Sequence, residues 1–526
     1  MRIRLAVLAV LFSLIALQLF AQENDSAEQK SSSDTQTVVK KGQLPEAAKD
    51  AKAEAKPEAK PEPEPVVTHH QITINGKTLR YTATTGRLPI KDDEGKIQAE
   101  MFFIAYTLDG AGPKRPLTFT FNGGPGSSSV WLHLGAVGPK RVRMSPEGYM
   151  PPPPFELIDN QYTWLDQTDL VFIDPVGTGY SRAIKKDDAK KYYNLQGDIQ
   201  SVGDFIRLYL SRYERWTSPL FLAGESYGTT RAAGLSGYLV DHGIVFNGIV
   251  LVSTVLNFET LEFVPGNDLP YILYLPSYTA AAWYHKKLSP ELQADFRKAL
   301  QESEQYASGP YTDALAKGDR LTAQERQSVI DNLSRLTGLS KQFIDYANLR
   351  VAEDQFGKEL LRSQREIIGR IDARFTAPSL NVVSDSTEFD PSISTTFPPF
   401  TSALNQYIRT ELGYKTDMPY EILSFDVNRQ WTWGSAGEGF PNTAEALRDA
   451  LAKNKYMKLF VASGWFDLAT PYYATQYTLA HLSLPEKLRS NISTGYYDSG
   501  HMIYLHDQSL ANLKQDVSKF ISSALK

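Results

Sequence analysis

One Gly-x-Ser-x-Gly motif, Gly224-Glu-Ser-Tyr-Gly228, constrains the fold of this chain more than any other feature. The apolar run Leu220-Phe-Leu-Ala223 precedes it and is typical of a buried strand, whereas residues 230–239 have helical character. In a sharp strand-to-helix turn, side chains at the two flanking positions would clash, so glycine is expected at both. We predict that this turn exposes the hydroxyl of Ser226 as a candidate nucleophile.

Short, continuous apolar runs recur along the chain and are typical of parallel strands buried on both faces. Helical stretches such as 192–213 and 444–451 lie between them. An alternating pattern around Asn75-Gly76 predicts an antiparallel hairpin ahead of these runs. The fold class is therefore α/β, with a mixed, mostly parallel central sheet. Its strands are predicted at residues 99–107, 117–121, 170–174, 220–223, 249–252, 458–462 and 492–497.

The N-terminal residues are predicted to serve export rather than folding. Residues 1–21 combine Arg2 and Arg4 with an apolar run over 5–20, which is typical of a signal peptide; a retained membrane anchor is the alternative, although the run is short for a span. Residues 22–66 form a linker rich in Ala, Lys, Glu and Pro. Such a composition cannot bury enough apolar surface to fold, so we expect disorder, as a solvated leader or as a spacer.

The remaining chain is predicted to form one core interrupted by an insertion. Residues 67–256 and 431–526 contain the predicted strands and are assigned to the two parts of the core. Residues 257–430 are rich in helical and aromatic residues, and we interpret them as a largely helical cap insertion over the sheet. Aromatic residues of this insertion fit either a substrate pocket or the core of the cap: Tyr278, Trp283 and Tyr284.

Charge and cysteine content exclude several function classes. The 526 residues contain 55 Lys and Arg against 60 Asp and Glu, a net charge of −5. A nucleic-acid-binding protein would need a basic surface, so we do not expect nucleic acid as a partner of this chain. The chain has no cysteine, which rules out disulfides, thiolate metal sites and a cysteine nucleophile.

A serine nucleophile needs a histidine base and an orienting carboxylate. His501 follows the last predicted strand, where a hydrolase of this type places its base, with His506 in reserve. Asp467 follows the strand over 458–462, and Asp498 is the alternative carboxylate. The chain order Ser226, Asp467, His501 is the one expected on an α/β-hydrolase sheet.

A glycine-rich loop follows the predicted strand over 117–121. Asn122-Gly-Gly-Pro-Gly126 lets backbone N–H groups approach a substrate closely, and we assign it an oxyanion donor beside the amide of Tyr227. A phosphate-binding loop is the alternative, but no Gly-Lys-Ser/Thr sequence follows.

Five motifs, in the same order along the chain as in the family, together resemble the serine carboxypeptidases over about residues 70–526. The chain resembles a bacterial-type member of that family. This resemblance implies an α/β-hydrolase fold and removal of single residues from the C-termini of peptides; some relatives transfer acyl groups. The motifs are Asn122-Gly-Gly-Pro-Gly-Ser-Ser128, Gly135-Ala-Val-Gly-Pro139, Asp174-Pro-Val-Gly-Thr-Gly-Tyr-Ser181, Gly224-Glu-Ser-Tyr-Gly228 and Gly500-His-Met502.

The resemblance also implies a binding site for the substrate's terminal carboxylate. Asn122, the Gly123 amide and Glu225 are expected to hold it, while the amides of Gly124 and Tyr227 form the oxyanion hole. A carboxylate beside an ionised Glu225 would be repelled, and one shared proton converts the repulsion into a short hydrogen bond. Glu225 should therefore have a raised pKa, with activity favoured at acidic pH.

Two departures from the family pattern qualify these expectations. Eukaryotic members have a glutamate that supports the carboxyl network, and Ala136 occupies the corresponding position here, which weakens the case for a strongly acidic optimum. Family members commonly contain disulfides, whereas here the cap must be held by packing alone.

These observations predict a secreted serine carboxypeptidase, periplasmic or extracellular, acting on peptide or protein C-termini. The mature chain is expected to have no membrane span, and the chemistry requires no metal or organic cofactor. An esterase or acyltransferase on the same scaffold is the first alternative, although neither needs a clamp for a carboxylate. A non-catalytic scaffold with a decayed site is the second.

Overall fold

The computed structural model describes residues 64–434 and 439–526. The predicted signal peptide over 1–21 and the predicted linker up to residue 63 lie outside these residues. The first strand begins at Val66, the last residue assigned to the linker. Within the described residues, no helix has both the length and the apolar character that crossing a membrane requires.

Fourteen β-strands occur in the described residues. They are β1 (Val66–Ile74), β2 (Lys77–Lys91), β3 (Ile97–Leu108), β4 (Leu117–Phe121), β5 (Lys140–Val142), β6 (Leu157–Asp159), β7 (Asp169–Ile173), β8 (Arg182–Ala183), β9 (Leu220–Ser226), β10 (Gly248–Thr254), β11 (Glu366–Ile368), β12 (Thr376–Pro378), β13 (Lys458–Gly464) and β14 (Ile492–Tyr497).

Sixteen α-helices occur in the same residues. They are α1 (Val130–Leu132), α2 (Leu195–Arg212), α3 (Tyr227–Asp241), α4 (Leu269–Tyr284), α5 (Pro290–Gln293), α6 (Phe296–Tyr306), α7 (Thr312–Lys317), α8 (Ala323–Thr337), α9 (Lys341–Tyr346), α10 (Glu353–Glu359), α11 (Pro391–Thr410), α12 (Phe425–Gln430), α13 (Ala444–Lys453), α14 (Tyr472–Ala480), α15 (Glu486–Arg489) and α16 (Asp507–Ala524).

The main sheet has the mixed character that the sequence predicts. Its strand order is β1-β2-β3-β7-β4-β9-β10-β13-β14, and β8 pairs with β3. In this order, neighbouring strands from β7 to β14 pair parallel, whereas the pairs β1–β2, β2–β3 and β3–β7 are antiparallel. The hairpin turn lies at Asn75 and Gly76, whose φ angles are 49° and 78°, as a two-residue turn of this kind requires.

The parallel strands form continuous apolar runs because helices cover both faces of the sheet. Every residue of β4, β7 and β10 is buried. Alternate residues of one strand enter different apolar clusters: Phe221 packs with α11 and α16, whereas Leu222 packs with α2, α3 and α13. The α/β prediction is thus confirmed, since parallel strands of this kind need two covered faces.

The segment between β10 and β13 is largely helical, as predicted, but its packing is divided. Helices α4, α6 and α8 form a third apolar cluster together with Trp465 and Phe466. Helix α11 instead joins the cluster that covers the sheet. Tyr278 is buried and stacks on Phe356 with ring centroids 4.1 Å apart, so it belongs to a core. The interpretation of 257–430 as a cap over the site remains a prediction.

Candidate active site

Ser226 occupies the sharp turn that the glycine motif predicts. It closes β9 and precedes α3, with φ 61° and ψ −132°. A non-glycine residue rarely adopts a positive φ, and holding one there costs about 1–3 kcal/mol. A Cβ atom at Gly224 would lie 2.2 Å from the carbonyl oxygen of Gly228. One at Gly228 would lie 2.9 Å from the carbonyl oxygen of Phe121, so close packing requires both glycines.

Asp467 and His501 form a buried hydrogen-bonded pair. The Nδ1 atom of His501 lies 2.9 Å from Oδ2 of Asp467, and Asp467 is completely buried. Backbone N–H groups of Ala469 and Thr470 each donate to Oδ1 of Asp467 at 2.8 Å, which fixes the carboxylate. A carboxylate at Nδ1 holds the proton there and leaves Nε2 as the nitrogen that can accept one.

The pKa of His501 is raised above its ordinary value despite burial. Burial disfavours the imidazolium and lowers the pKa, but the charge of Asp467, its hydrogen bond and the charge of Glu225 together outweigh burial. Arg370 acts in the opposite direction. The imidazolium that forms when His501 accepts a proton is therefore stabilised, as a general base in this position requires.

The three predicted catalytic residues lie at the same edge of the sheet. Ser226, Asp467 and His501 lie at or just after the carboxyl ends of β9, β13 and β14, where open α/β sheets place their sites. Strand β10 lies between β9 and β13 in the sheet and contacts residues at these ends. Thr254 pairs with Ser226, and the hydroxyl of Ser253 donates to the carbonyl oxygen of His501 at 2.5 Å. The loop that carries His501 is thus attached to the strand beside Ser226.

The glycine loop meets the turn at Ser226 from the neighbouring strand β4. A Cβ atom at Gly123 would lie 2.4 Å from the backbone nitrogen of Tyr227, so the loop backbone contacts the start of α3. Asn122 is buried, and its Oδ1 accepts the N–H of Leu132 at 3.0 Å. A side-chain hydrogen bond from Asn122 lowers the pKa of Glu225, so these two residues lie side by side. Gly124 follows with a φ of 102°, which favours glycine.

Glu225 is a buried carboxyl group with an incomplete set of partners. It is 3% exposed, and its Oε2 has no hydrogen-bond partner within the described residues. Burial raises the pKa of Glu225 to about 7. The charge of His501 and hydrogen bonds from Tyr504 and Asn122 oppose the rise, whereas the charge of Asp467 adds to it. The rise has the predicted direction, but desolvation alone causes most of it, before any substrate carboxylate arrives.

A buried ion pair connects the glycine loop to the helix after Ser226. The Nε atom of Arg231 lies 2.8 Å from Oδ2 of Asp198, and the hydroxyl of Tyr227 donates to the same oxygen at 3.0 Å. Arg231 also donates to the carbonyl oxygen of Asn122 at 2.6 Å. One arginine therefore fixes the spacing of Asn122 and Tyr227, which contribute to the predicted carboxylate site and oxyanion hole.

The alternative base His506 and the alternative carboxylate Asp498 make different contacts. The Nδ1 atom of His506 lies 2.8 Å from the hydroxyl of Ser509, at the start of α16. Asp498 is exposed, and its carbonyl oxygen accepts a hydrogen bond from Arg374. Neither residue takes the place of His501 or Asp467 in the buried pair.

Three site residues escaped the sequence analysis. The hydroxyl of Thr470 donates to Asp467 Oδ2 at 2.7 Å and lies 3.1 Å from His501 Nδ1; its signal was its position three residues after Asp467. Tyr504 is buried beside Glu225, and a side-chain hydrogen bond from Tyr504 lowers the pKa of that carboxyl. Its ring lies where a side chain at Gly135 would lie, 2.3 Å from the added Cβ. Ser253 had no local signal.

Comparison with known proteins gives a family match over most of the chain. The family described as Serine carboxypeptidase matches residues 75–513. The pheromone-processing carboxypeptidase KEX1 of Saccharomyces cerevisiae is 31% identical over 170 residues, which are 30% of this chain and 22% of that protein. The matched region thus spans about a fifth of the full length of KEX1.

Two further comparisons extend along more of the chain. Serine carboxypeptidase S10 family member 1 of Dictyostelium discoideum is 23% identical over 343 residues, 63% of this chain and 73% of that protein. The crystal structure of KEX1(delta)p, a prohormone-processing carboxypeptidase from Saccharomyces cerevisiae, has a TM-score of 0.51 at 19% identity. It covers 84% of this chain and 91% of that structure and supports the same α/β-hydrolase fold.

Proposed function

Because the chain belongs to the serine carboxypeptidase family, we propose that it hydrolyses the C-terminal peptide bond of peptides with Ser226, His501 and Asp467. The observation that carries the proposal is the buried pair of Asp467 and His501, 2.9 Å apart, at the sheet edge that also holds the strained turn of Ser226. In a serine hydrolase the aspartate orients the histidine, and the histidine removes the proton of the serine hydroxyl.

The chemistry follows from the roles of the three side chains. The Ser226 hydroxyl attacks the last peptide carbonyl while His501 removes its proton, and an acyl-enzyme forms when His501 returns the proton to the leaving amino acid. Water then attacks the ester by the same acid and base. The negative charge on the carbonyl oxygen is stabilised by the amides of Gly124 and Tyr227, the latter at the N-terminus of α3.

Recognition of the free C-terminus would come from polar groups buried beside Ser226. The Asn122 side chain, which also hydrogen-bonds Glu225, and the Gly123 amide lie in the same loop. A protonated Glu225 can donate to a carboxylate, whereas an ionised one repels it. Its Oε2 lacks a partner within the described residues, which leaves it available to a substrate. The enzyme would therefore act as an exopeptidase.

The experiment compares a peptide with its C-terminal amide by time-resolved mass spectrometry. We expect successive loss of single residues from the free acid and at least tenfold slower cleavage of the amide. Ser226→Ala should abolish both reactions, and Ser236→Ala, on the same helix, should retain them. Equal rates for acid and amide would remove the carboxylate role, and transfer of the acyl group to an added amine in preference to water would indicate an acyltransferase.

We also propose that the chain is exported to the periplasm or the extracellular space. The support is the basic and apolar pattern of residues 1–21, ahead of the linker over 22–66. N-terminal sequencing of protein produced by an exporting bacterial host should then begin at Gln22. Replacement of Arg2 and Arg4 by glutamate should prevent this processing, and a mature protein that still begins at Met1 would contradict the proposal.

A further inference from the structure

A short part of the inserted segment contacts both loops that carry the acid–base pair. The N–H of Leu468, next to Asp467, donates to the carbonyl oxygen of Arg370 at 3.1 Å. The N–H of His501 donates to the carbonyl oxygen of Ile371 at 2.7 Å. Residues 370–374, which we call the bridging segment, therefore hold the two loops from the same side.

Asp372 and Arg374 form the polar centre of the bridging segment. Their side chains are 1% and 5% exposed. The Nε atom of Arg374 donates to Asp372 Oδ1 at 2.9 Å and its Nη2 atom donates to Oδ2 at 2.7 Å, a bidentate pair. Such a pair is directional as well as strong, so it fixes the plane of the carboxylate.

The same ion pair reaches the residues immediately before His501. Oδ2 of Asp372 accepts the N–H of Gly500 at 3.0 Å, and Nη1 of Arg374 donates to the carbonyl oxygen of Asp498 at 3.0 Å. A Cβ atom at Gly500 would lie 2.5 Å from Cβ of Asp372, so the two backbones are in close contact. The position of the His501 backbone is thus determined by three contacts with the bridging segment.

The bridging segment is itself anchored to a helix of the sheet layer. The N–H of Asp372 donates to the hydroxyl of Ser392 at 2.9 Å, and the N–H of Ile371 donates to Oδ2 of Asp390 at 3.2 Å. Asp390 caps α11, which packs in the apolar cluster on one face of the sheet. The loops that carry Asp467 and His501 are therefore held in place relative to the sheet by α11 as well as by β13 and β14.

We propose that Asp372 is a positioning residue, which with Arg374 sets the alignment of His501 toward Ser226 without touching the substrate. The inference rests on the proposed function, because it assigns Asp372 to the same acid–base pair. Small misplacements of a catalytic base reduce turnover steeply, by about 100-fold for 1 Å. Substrate binding should change little, because Asn122 follows β4 and Glu225 lies in β9, away from the bridging segment in the chain.

Asp372→Asn tests this role by separating turnover from binding. We expect kcat on a blocked dipeptide to fall about 100-fold with KM within threefold. The rate constant for labelling of Ser226 by a fluorophosphonate should fall by a similar factor. The labelling rate does not depend on recognition of a C-terminus, so it remains informative even if the protein cleaves no peptide.

Asp169→Asn is the matched control. Asp169 is equally buried, pairs with Arg115 and Arg215 at 2.9 and 2.8 Å, and accepts the N–H of Leu108, but it begins β7 at the other end of the sheet. Loss of a buried ion pair should lower its urea midpoint, while kcat and the labelling rate stay within twofold. Equal losses of kcat in both variants would reduce Asp372 to a general stabilising role and overturn the proposal.

A second variant covers the outcome that Asp372→Asn does not fold. Arg374→Lys keeps the charge but loses the bidentate geometry and, with it, the bond to Asp498. A labelling rate at least tenfold below that of the unmodified protein, at unchanged KM, supports the positioning role. A labelling rate within twofold overturns it.

Discussion

Glu225→Gln should remove a pH dependence of substrate binding that the unmodified protein shows between pH 6 and pH 8. Burial raises the pKa of Glu225 to about 7. Below this pH the protonated side chain donates to the substrate carboxylate, and above it the ionised side chain repels the same group. Substrate affinity should therefore fall as pH rises through 7.

The size of the effect follows from the fraction of protein that carries the proton. If only the protonated form binds, KM is proportional to 1 + 10^(pH − pKa), which rises from about 1.1 at pH 6 to about 11 at pH 8 for a pKa of about 7. KM should thus increase about tenfold. The substrate carboxylate stays ionised throughout, because its own pKa is about 3.5. A glutamine cannot ionise, so KM of Glu225→Gln should change less than twofold.

The assay is steady-state hydrolysis of an N-terminally blocked dipeptide, so that no α-amino group of the substrate titrates. The exposed Glu259→Gln provides a control that should behave like the unmodified protein. The C-terminal amide of the same dipeptide should show no rise in KM with either protein. A constant KM for the free acid across this pH range, or an unchanged tenfold rise in Glu225→Gln, would exclude this role of Glu225.

Three further predictions concern the same site. Asp467→Asn should lower kcat about 10⁴-fold at nearly constant KM, because its amide group would face His501 Nδ1 and impose the wrong tautomer; steady-state kinetics with a loss under tenfold would contradict this. Because Glu225 titrates near 4.5 when unfolded and near 7 when folded, its ionisation should reduce the free energy of unfolding by about 3 kcal/mol as pH rises from 4.5 to 7. Urea unfolding of Glu225→Gln should lack that part of the decline, and equal slopes for both proteins would exclude it. Tyr504→Phe removes a buried hydroxyl that hydrogen-bonds Glu225, so stability should fall by about 1 kcal/mol while KM for free-acid peptides rises about tenfold; an unchanged KM would show that Tyr504 does not support Glu225 in binding the substrate carboxylate.

The elements that position the site were predictable because their signals are local. The strand before Ser226 is a continuous apolar run, and the glycines at 224 and 228 are required by contacts within the turn and with the adjacent loop. The order of Ser226, Asp467 and His501 along the chain follows from a sheet that adds strands in sequence beyond β9.

The residues that refine the site were not predictable, because their roles come from distant segments. The hydrogen bonds of Asp372 and Arg374 to the loop of His501 join positions more than 120 residues apart in the chain. Ser253 adopts a φ of 52° in a strand that is buried along its whole length. Neither feature is visible in composition or periodicity, since each depends on where the inserted segment and β14 meet.

The identity of the nucleophile is tested most directly by mapping the site of a fluorophosphonate adduct with peptide mass spectrometry. We expect one adduct, on Ser226, that forms at least a hundredfold more slowly in His501→Ala and is absent from Ser226→Ala. An adduct on another serine, or continued removal of C-terminal residues by Ser226→Ala, would contradict this expectation.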